Sequence, residues 1–250
     1  STPPALHHQM GLDVLSSGKH FWCEKPITMS LEESKSLVEH SNKANLTLTE
    51  GFMYLYHPHF NALKNELIKY PEEEIKYIDI VFTLPHSDNM GFRDSLELGG
   101  SALMDIGTYN ISMALEILNM DNPQILYKEI NINDSSKVDL SGFATMQFND
   151  STLCNLYWGM GFAYRNEINI LTTKRSLYTD KIFSKKEDYE PVIQLRNEFG
   201  EISHLKCKKA NHFVEIFIHF RSLIDDKNKA NFEKERIIQL SKLAEQIRGG

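Results

Sequence analysis

The chain has 250 residues, with 41% hydrophobic and 24% charged positions and a formal net charge of -7. That composition supplies enough apolar material for a core and argues against disorder. The acidic balance argues against a nucleic-acid partner, because phosphate binding needs clustered Lys and Arg. Lys206, Lys208 and Lys209 are too few to reverse it and read as a solvated face.

Pro3-Pro4 suits a helix start, and Leu6, Met10 and Val14 recur four apart on one face. Ser17-Gly18 stops this helix, and a short strand follows over 20–23. Ser30 with Glu33 forms a capping box for a helix to about Asn45, and 46–49 is a second short strand. Helices alternating with short apolar strands predict a parallel sheet with crossover connections.

The remainder has a different pattern. A helix is predicted over 58–70, a strand over 75–84, a loop over 85–100 and a helix over 101–119. Five strand-like stretches follow, at 124–133, 141–148, 152–158, 166–172 and 176–179. Consecutive strands without intervening helices predict an antiparallel sheet. Two helical patterns close the chain, 212–224 and 232–247. A boundary is expected near Glu50-Gly51, with 1–50 of α/β type and 51–250 of α+β type.

The three cysteines, Cys23, Cys154 and Cys207, form no CxxC pair, so no disulfide framework or structural zinc site is indicated. Reduced thiols, no apolar run of membrane-span length and no signal-peptide pattern make a cytoplasmic protein without a membrane partner the expectation. His7-His8 and His57-Pro58-His59 lack an evident third ligand, and no metal is expected.

Candidate chemistry lies at two places. Lys25, in Cys23-Glu24-Lys25-Pro26, follows a strand at the carboxyl end of the expected parallel sheet, where open α/β sheets bind ligands. Lys25-Pro26 is also a candidate cis peptide. On the helix after Gly99-Gly100, Leu103, Ile106, Ala114, Ile117 and Leu118 share one face, and Asp105, Tyr109, Ser112 and Glu116 share the other. Asp105 and Tyr109 are four apart and should stack. A carboxylate and a phenol near an ammonium group form a workable proton-transfer set, with the phenol pKa expected to fall beside the cation. The bland alternatives are an exposed turn lysine, an amphipathic helix with its polar face in water, and a flexible Gly-Gly entry in place of glycines that admit a ligand.

These residues occur in the order of a known family. Ser1-Thr2-Pro3-Pro4 with His7, Gly18-Lys19-His20 before Cys23-Glu24-Lys25-Pro26, Glu50-Gly51-Phe52-Met53-Tyr54 with His57-Pro58, and Gly99 through Tyr109 together resemble the glucose–fructose oxidoreductase / inositol dehydrogenase (Gfo/Idh/MocA) family. The resemblance implies the C-terminal part of a Rossmann dinucleotide-binding domain followed by an open, mainly antiparallel sheet domain with helices on one face. Terminal helices would pack back on the first domain. It implies an NAD(P)-dependent oxidoreductase moving a hydride to or from a sugar or nucleotide-sugar carbon, with NADP placed ahead of NAD. Lys25 would be the active-site lysine, Tyr109 the acid/base, and Asp105 the residue that orients substrate or tunes the other two. Thr2, Pro3, His7, Glu24, Lys25 and Pro26 would line the nicotinamide side of the cofactor. A homodimer or homotetramer through the sheet domain is implied. Tyr at 109 is similar to the dihydrodiol dehydrogenase and nucleotide-sugar ketoreductase branches, and Tyr164-Arg165-Asn166 and Phe183-Ser184 look like the nucleotide-sugar branch.

Ser101 stands where the family often has a third Gly, and no GxGxxG occurs. The resemblance places that loop before Thr2, so roughly 60–80 residues of a βαβαβ half are expected to be missing from this chain. A non-catalytic scaffold, or one half of a split enzyme, is the alternative expectation.

Overall fold

The computed structural model describes residues 2–88, 90–149 and 151–249, so Ser1 of the first motif lies outside the described residues. A 3-10 turn at Pro4–Leu6 leads into α1 (His7–Ser16), then β1 (Phe21–Cys23), α2 (Leu31–Lys43) and β2 (Leu48–Glu50). β1 and β2 are parallel, with Cys23 beside Glu50. Ser30 Oγ accepts from the Glu33 amide as predicted, while Glu33 Oε2 reaches back to the Met29 amide. Gly18 ends the α1 segment at φ +70°.

The buried face of α1 is not the stripe of larger apolar residues. Leu6 and Met10 are exposed, and His7, Gly11 and Leu15 are buried. A Cβ on Gly11 would stand 2.7 Å from the Phe21 ring and 2.8 Å from Leu37. The helix thus turns its smallest residue inward to approach β1 and α2, and packing overrides the spacing of the larger side chains.

The second part holds α3 (Pro58–Ile68), β3 (Ile75–Leu84), a π-helical turn (Leu103–Gly107), α4 (Thr108–Ile117) and β4 (Gln124–Ile132). It continues with β5 (Asp139–Phe148), β6 (Thr152–Met160), β7 (Arg165–Thr172), β8 (Arg175–Asp180), β9 (Val192–Asn197), β10 (Ile202–Lys206), α5 (His212–Asp225) and α6 (Lys227–Arg248). The sheet order is β10-β9-β8-β7-β3-β6-β5-β4. Its pairs are antiparallel except β3 with β6, a parallel pair that the run of consecutive strands does not announce. The crossover through α4 and the β4–β5 hairpin makes that pair parallel. β9 and β10 fall in a stretch to which the sequence assigns no element, because short polar strands carry little alternation.

The predicted amphipathic helix is corrected. Every residue of 101–118 is buried, so its polar face meets protein and not water. Ser112 accepts from the Tyr54 hydroxyl at 3.0 Å. Glu116 pairs with Arg236 at 2.6 Å and Lys64 at 3.3 Å. α6 ties β2 and α2 of the first part to α4 of the second. Glu233 accepts from Thr49 at 2.7 Å and from Arg236 at 2.8 Å, and Ser34 and Ser241 hydroxyls are 2.6 Å apart. No described helix is long and apolar enough to cross a membrane.

Candidate active site

The end of β1 and the π turn supply the site. Lys25 Nζ donates to both the carboxylate Oδ1 and the main-chain oxygen of Asp105. Arg93, from a 3-10 turn at Gly91–Asp94, takes the other carboxylate oxygen, Nε to Oδ2 at 2.6 Å. Lys25 Nζ also stands 5.0 Å from the centre of the Tyr109 ring. Three residues expected to act together are therefore in contact. The predicted one-turn stacking of Asp105 over Tyr109 is altered, since Asp105 sits in the π turn, where the backbone is wider than in an α-helix.

Burial acts to push the Asp105 carboxyl up, but Lys25 and then Arg93 more than offset it and hold it below the usual carboxylate range. The Tyr109 phenol moves opposite to expectation. Burial, then the charges of Glu24, Asp105 and Glu50, push it well above its ordinary value. Lys25 is committed to Asp105, and the phenol stays protonated. It is packed edge-on against Phe52 and Phe82, with ring centres at 5.3 and 5.4 Å, and beside Phe183 at 5.3 Å. Its hydroxyl donates to Met53 Sδ at 3.4 Å, a weak acceptor.

The expected cofactor edge is partly assembled. His7 is buried and places Nδ1 2.8 Å from the Pro26 carbonyl oxygen and Nε2 3.2 Å from that of Thr2. One N–H of the ring can donate at a time, and either tautomer ties the His7 ring to the Thr2 or the Pro26 segment. Glu24 is half-buried and Thr2 exposed, while Pro3 is half-buried and Pro26 buried. The Lys25-Pro26 peptide is cis.

Gly99-Gly100 is required by the local backbone. Gly99 has φ +87°, and a Cβ on Gly100 would lie 2.5 Å from the Arg93 carbonyl oxygen. The glycines let the 92–95 turn close over the chain, which delivers Arg93 to Asp105.

Two members escape sequence reasoning. Arg93 lies in an aperiodic loop that gives no signal. Glu50 appears in a motif but as a connector. Its Oε1 accepts from the Ile27 amide at 2.8 Å, its Oε2 is buried without a hydrogen-bond partner, and burial pushes its carboxyl up to about 7 against the pull of the Ile27 amide and Lys25. Among the described residues no group of three His, Cys, Asp or Glu is arranged to hold a metal.

Comparison with known proteins decides the family. Residues 1–52 match the oxidoreductase-family model described as an NAD-binding Rossmann fold, and 74–178 match the GFO/IDH/MocA C-terminal domain, together more than half the chain. The chain belongs to the Gfo/Idh/MocA oxidoreductase family. Among its relatives is a dTDP-3,4-didehydro-2,6-dideoxy-alpha-D-glucose 3-reductase from Saccharopolyspora spinosa, 27% identical over 98% of this chain and 75% of that protein. A crystal structure of KijD10, a 3-ketoreductase from Actinomadura kijaniata in complex with NADP and TDP-benzene, superposes with TM-score 0.91 at 24% identity, covering 99% of this chain and 76% of that one. Forms of KijD10 with one lysine or one tyrosine replaced are also similar, with TM-scores 0.89 and 0.92. An inositol dehydrogenase homolog from Azotobacter vinelandii with NAD+ gives TM-score 0.84 at 15% identity, covering 100% of this chain. These folds agree with the Gfo/Idh/MocA plan of a Rossmann-type region and a large, mainly antiparallel sheet.

Proposed function

We propose that this protein reduces a keto carbon of a nucleotide sugar with NADPH or NADH. One observation carries the reading: Lys25 lies between the Asp105 carboxylate and the Tyr109 ring, beside the β1 end that the family uses for its cofactor. The lysine and tyrosine replaced in the two KijD10 variants are separated by as many positions as Lys25 and Tyr109 are here, which supports giving these two the same importance.

The residues present suit the nicotinamide end of the cofactor. His7 lies against the Thr2 and Pro26 segments, and Glu24 and Lys25 add a carboxylate and an ammonium group fitted to ribose hydroxyls and the reacting oxygen. Thr2, Pro3, Glu24 and Pro26 would hold the group. When bound, the nicotinamide supplies or accepts the hydride.

The chain's own residues handle the proton. Tyr109, kept protonated by burial and nearby carboxylates, donates its hydroxyl proton to the substrate oxygen as negative charge develops there. Lys25 stabilises that charge, and Asp105, fixed by Arg93, holds Lys25 in place. The reducing direction is supported by the similar proteins, which are named as a 3-reductase and a 3-ketoreductase. The test is NADPH consumption with 3-keto dTDP- and UDP-sugars. Full turnover by both Lys25→Ala and Tyr109→Phe would sink the proposal.

A further inference from the structure

Phe183, whose ring lies 5.3 Å from that of Tyr109, opens a segment that walls a cavity of about 700 Å3. That is room for a nucleotide-sized ligand. The wall is built onto β7 by one side chain. Asn166, 2% exposed, donates to the Tyr164 hydroxyl at 3.0 Å and the Ser184 carbonyl oxygen at 3.2 Å, and its Oδ1 accepts from the Phe183 amide at 2.9 Å.

Three ammonium groups line the cavity, Lys181, Lys185 and Lys186, with Asp188 and Glu190 as the acidic members. Among the described residues none of the three lysines forms an ion pair with a carboxylate. Lys181 Nζ stands 4.2 Å from the centre of the Tyr189 ring. Lys185 Nζ donates to the Ile182 carbonyl oxygen at 3.2 Å and meets His212 Nε2 at 3.4 Å. Burial pushes Lys185 down to about 7, with Cys207 and Asp180 pulling the other way. The imidazoles around it supply no negative charge: burial and Lys185 hold His57, His59 and His212 down to about 4, 2 and 3. The Cys207 thiol is pushed up to about 11. A buried amine next to neutral rings is under-compensated, and an anion entering the cavity would complete it.

We propose that this cavity binds the diphosphate of a nucleoside-diphosphate sugar, with Lys181, Lys185 and Lys186 on the phosphate oxygens and a tyrosine face against the base. The proposal rests on the reductase reading for the sugar end; Phe183, next to Ser184 of the cavity wall, packs against Tyr109. A free pyrophosphate shares the anionic chemistry but not the base.

Calorimetric titration of the full chain with dTDP, pyrophosphate and thymidine tests it. dTDP should bind more tightly than pyrophosphate, and thymidine should bind weakly. Lys185→Met should weaken dTDP by about tenfold or more, as should the double variant Lys181→Gln, Lys186→Gln, whose exposed or half-buried positions spare folding. At pH 7, in buffers of different ionisation enthalpy, the proton uptake on binding dTDP should be larger for the wild type than for Lys185→Met, the terminal phosphate's own ionisation being common to both. Unchanged affinity in both variants would overturn the site. Pyrophosphate binding as tightly as dTDP would overturn its assignment to a nucleotide. Lysine-dependent dTDP binding without turnover of any keto nucleotide sugar would instead reject the reductase reading and leave the cavity standing.

Discussion

Lys25 holds two oxygens of a single residue, the carboxylate and the main-chain carbonyl of Asp105. The bond to the main chain fixes Lys25 against the π turn, so the ammonium group is placed by backbone as well as by charge. Tyr109→Phe keeps the ring in its aromatic surround and removes only the hydroxyl. Its kcat on a keto nucleotide sugar should fall by about 10²- to 10⁴-fold with little change in KM. Lys25→Ala should do the same. A loss confined to KM in either variant would show that the residue serves binding alone.

Glu50 gives a pH signature. Its carboxyl stands at about 7 in the fold against an ordinary 4.5, chiefly through burial. Between those values the folded state keeps a proton that the unfolded chain releases, so this group makes stability fall as pH rises through the window. The full effect is on the order of 3 kcal/mol. In Glu50→Gln this part of the slope should disappear from urea unfolding measured from pH 4.5 to 7.5. An unaltered slope would assign it to other groups.

Arg236 is the cation shared by Glu116 and Glu233 inside the core. Arg236→Met leaves two buried carboxylates under-compensated and should cost about 3–5 kcal/mol at neutral pH, read as a lower urea midpoint. Burial acts to raise the Glu233 carboxyl, and Arg236 and His219 override it to hold it at about 2. Its stabilisation is therefore present above the ordinary carboxylate range and lost as pH falls toward 2. The variant should lose this acid-side dependence as well.

Gly100→Ala places a methyl group 2.5 Å from the Arg93 carbonyl oxygen, which is backbone and yields only if the turn moves. A cost of about 1–3 kcal/mol is expected, with lower kcat as Arg93 withdraws from Asp105. Retained stability and activity would return the glycine pair to a simple flexible entry.

Much of this was legible beforehand where the signal is local. The capping pair Ser30 and Glu33, the Gly18 stop and the boundaries of β3 need only neighbours in the chain. Motif order brought Lys25, Asp105 and Tyr109 forward before any contact between them was visible. The buried face of α1, the burial of α4 and the strands β9 and β10 were not legible, because each depends on partners far away in sequence. Arg93 had no pattern at all.

The sequence by itself determined the element types, the family order of motifs and the residues able to move a proton. Only the tertiary structure decided their states. Burial near carboxylates raises the Tyr109 phenol, and Lys25 is paired with Asp105. Glu50 titrates near neutrality because α6 and the β1–β2 pair shut water out around it. Burial and the distances between charges are properties of the packed chain, and they set the direction in which each group's pKa moves.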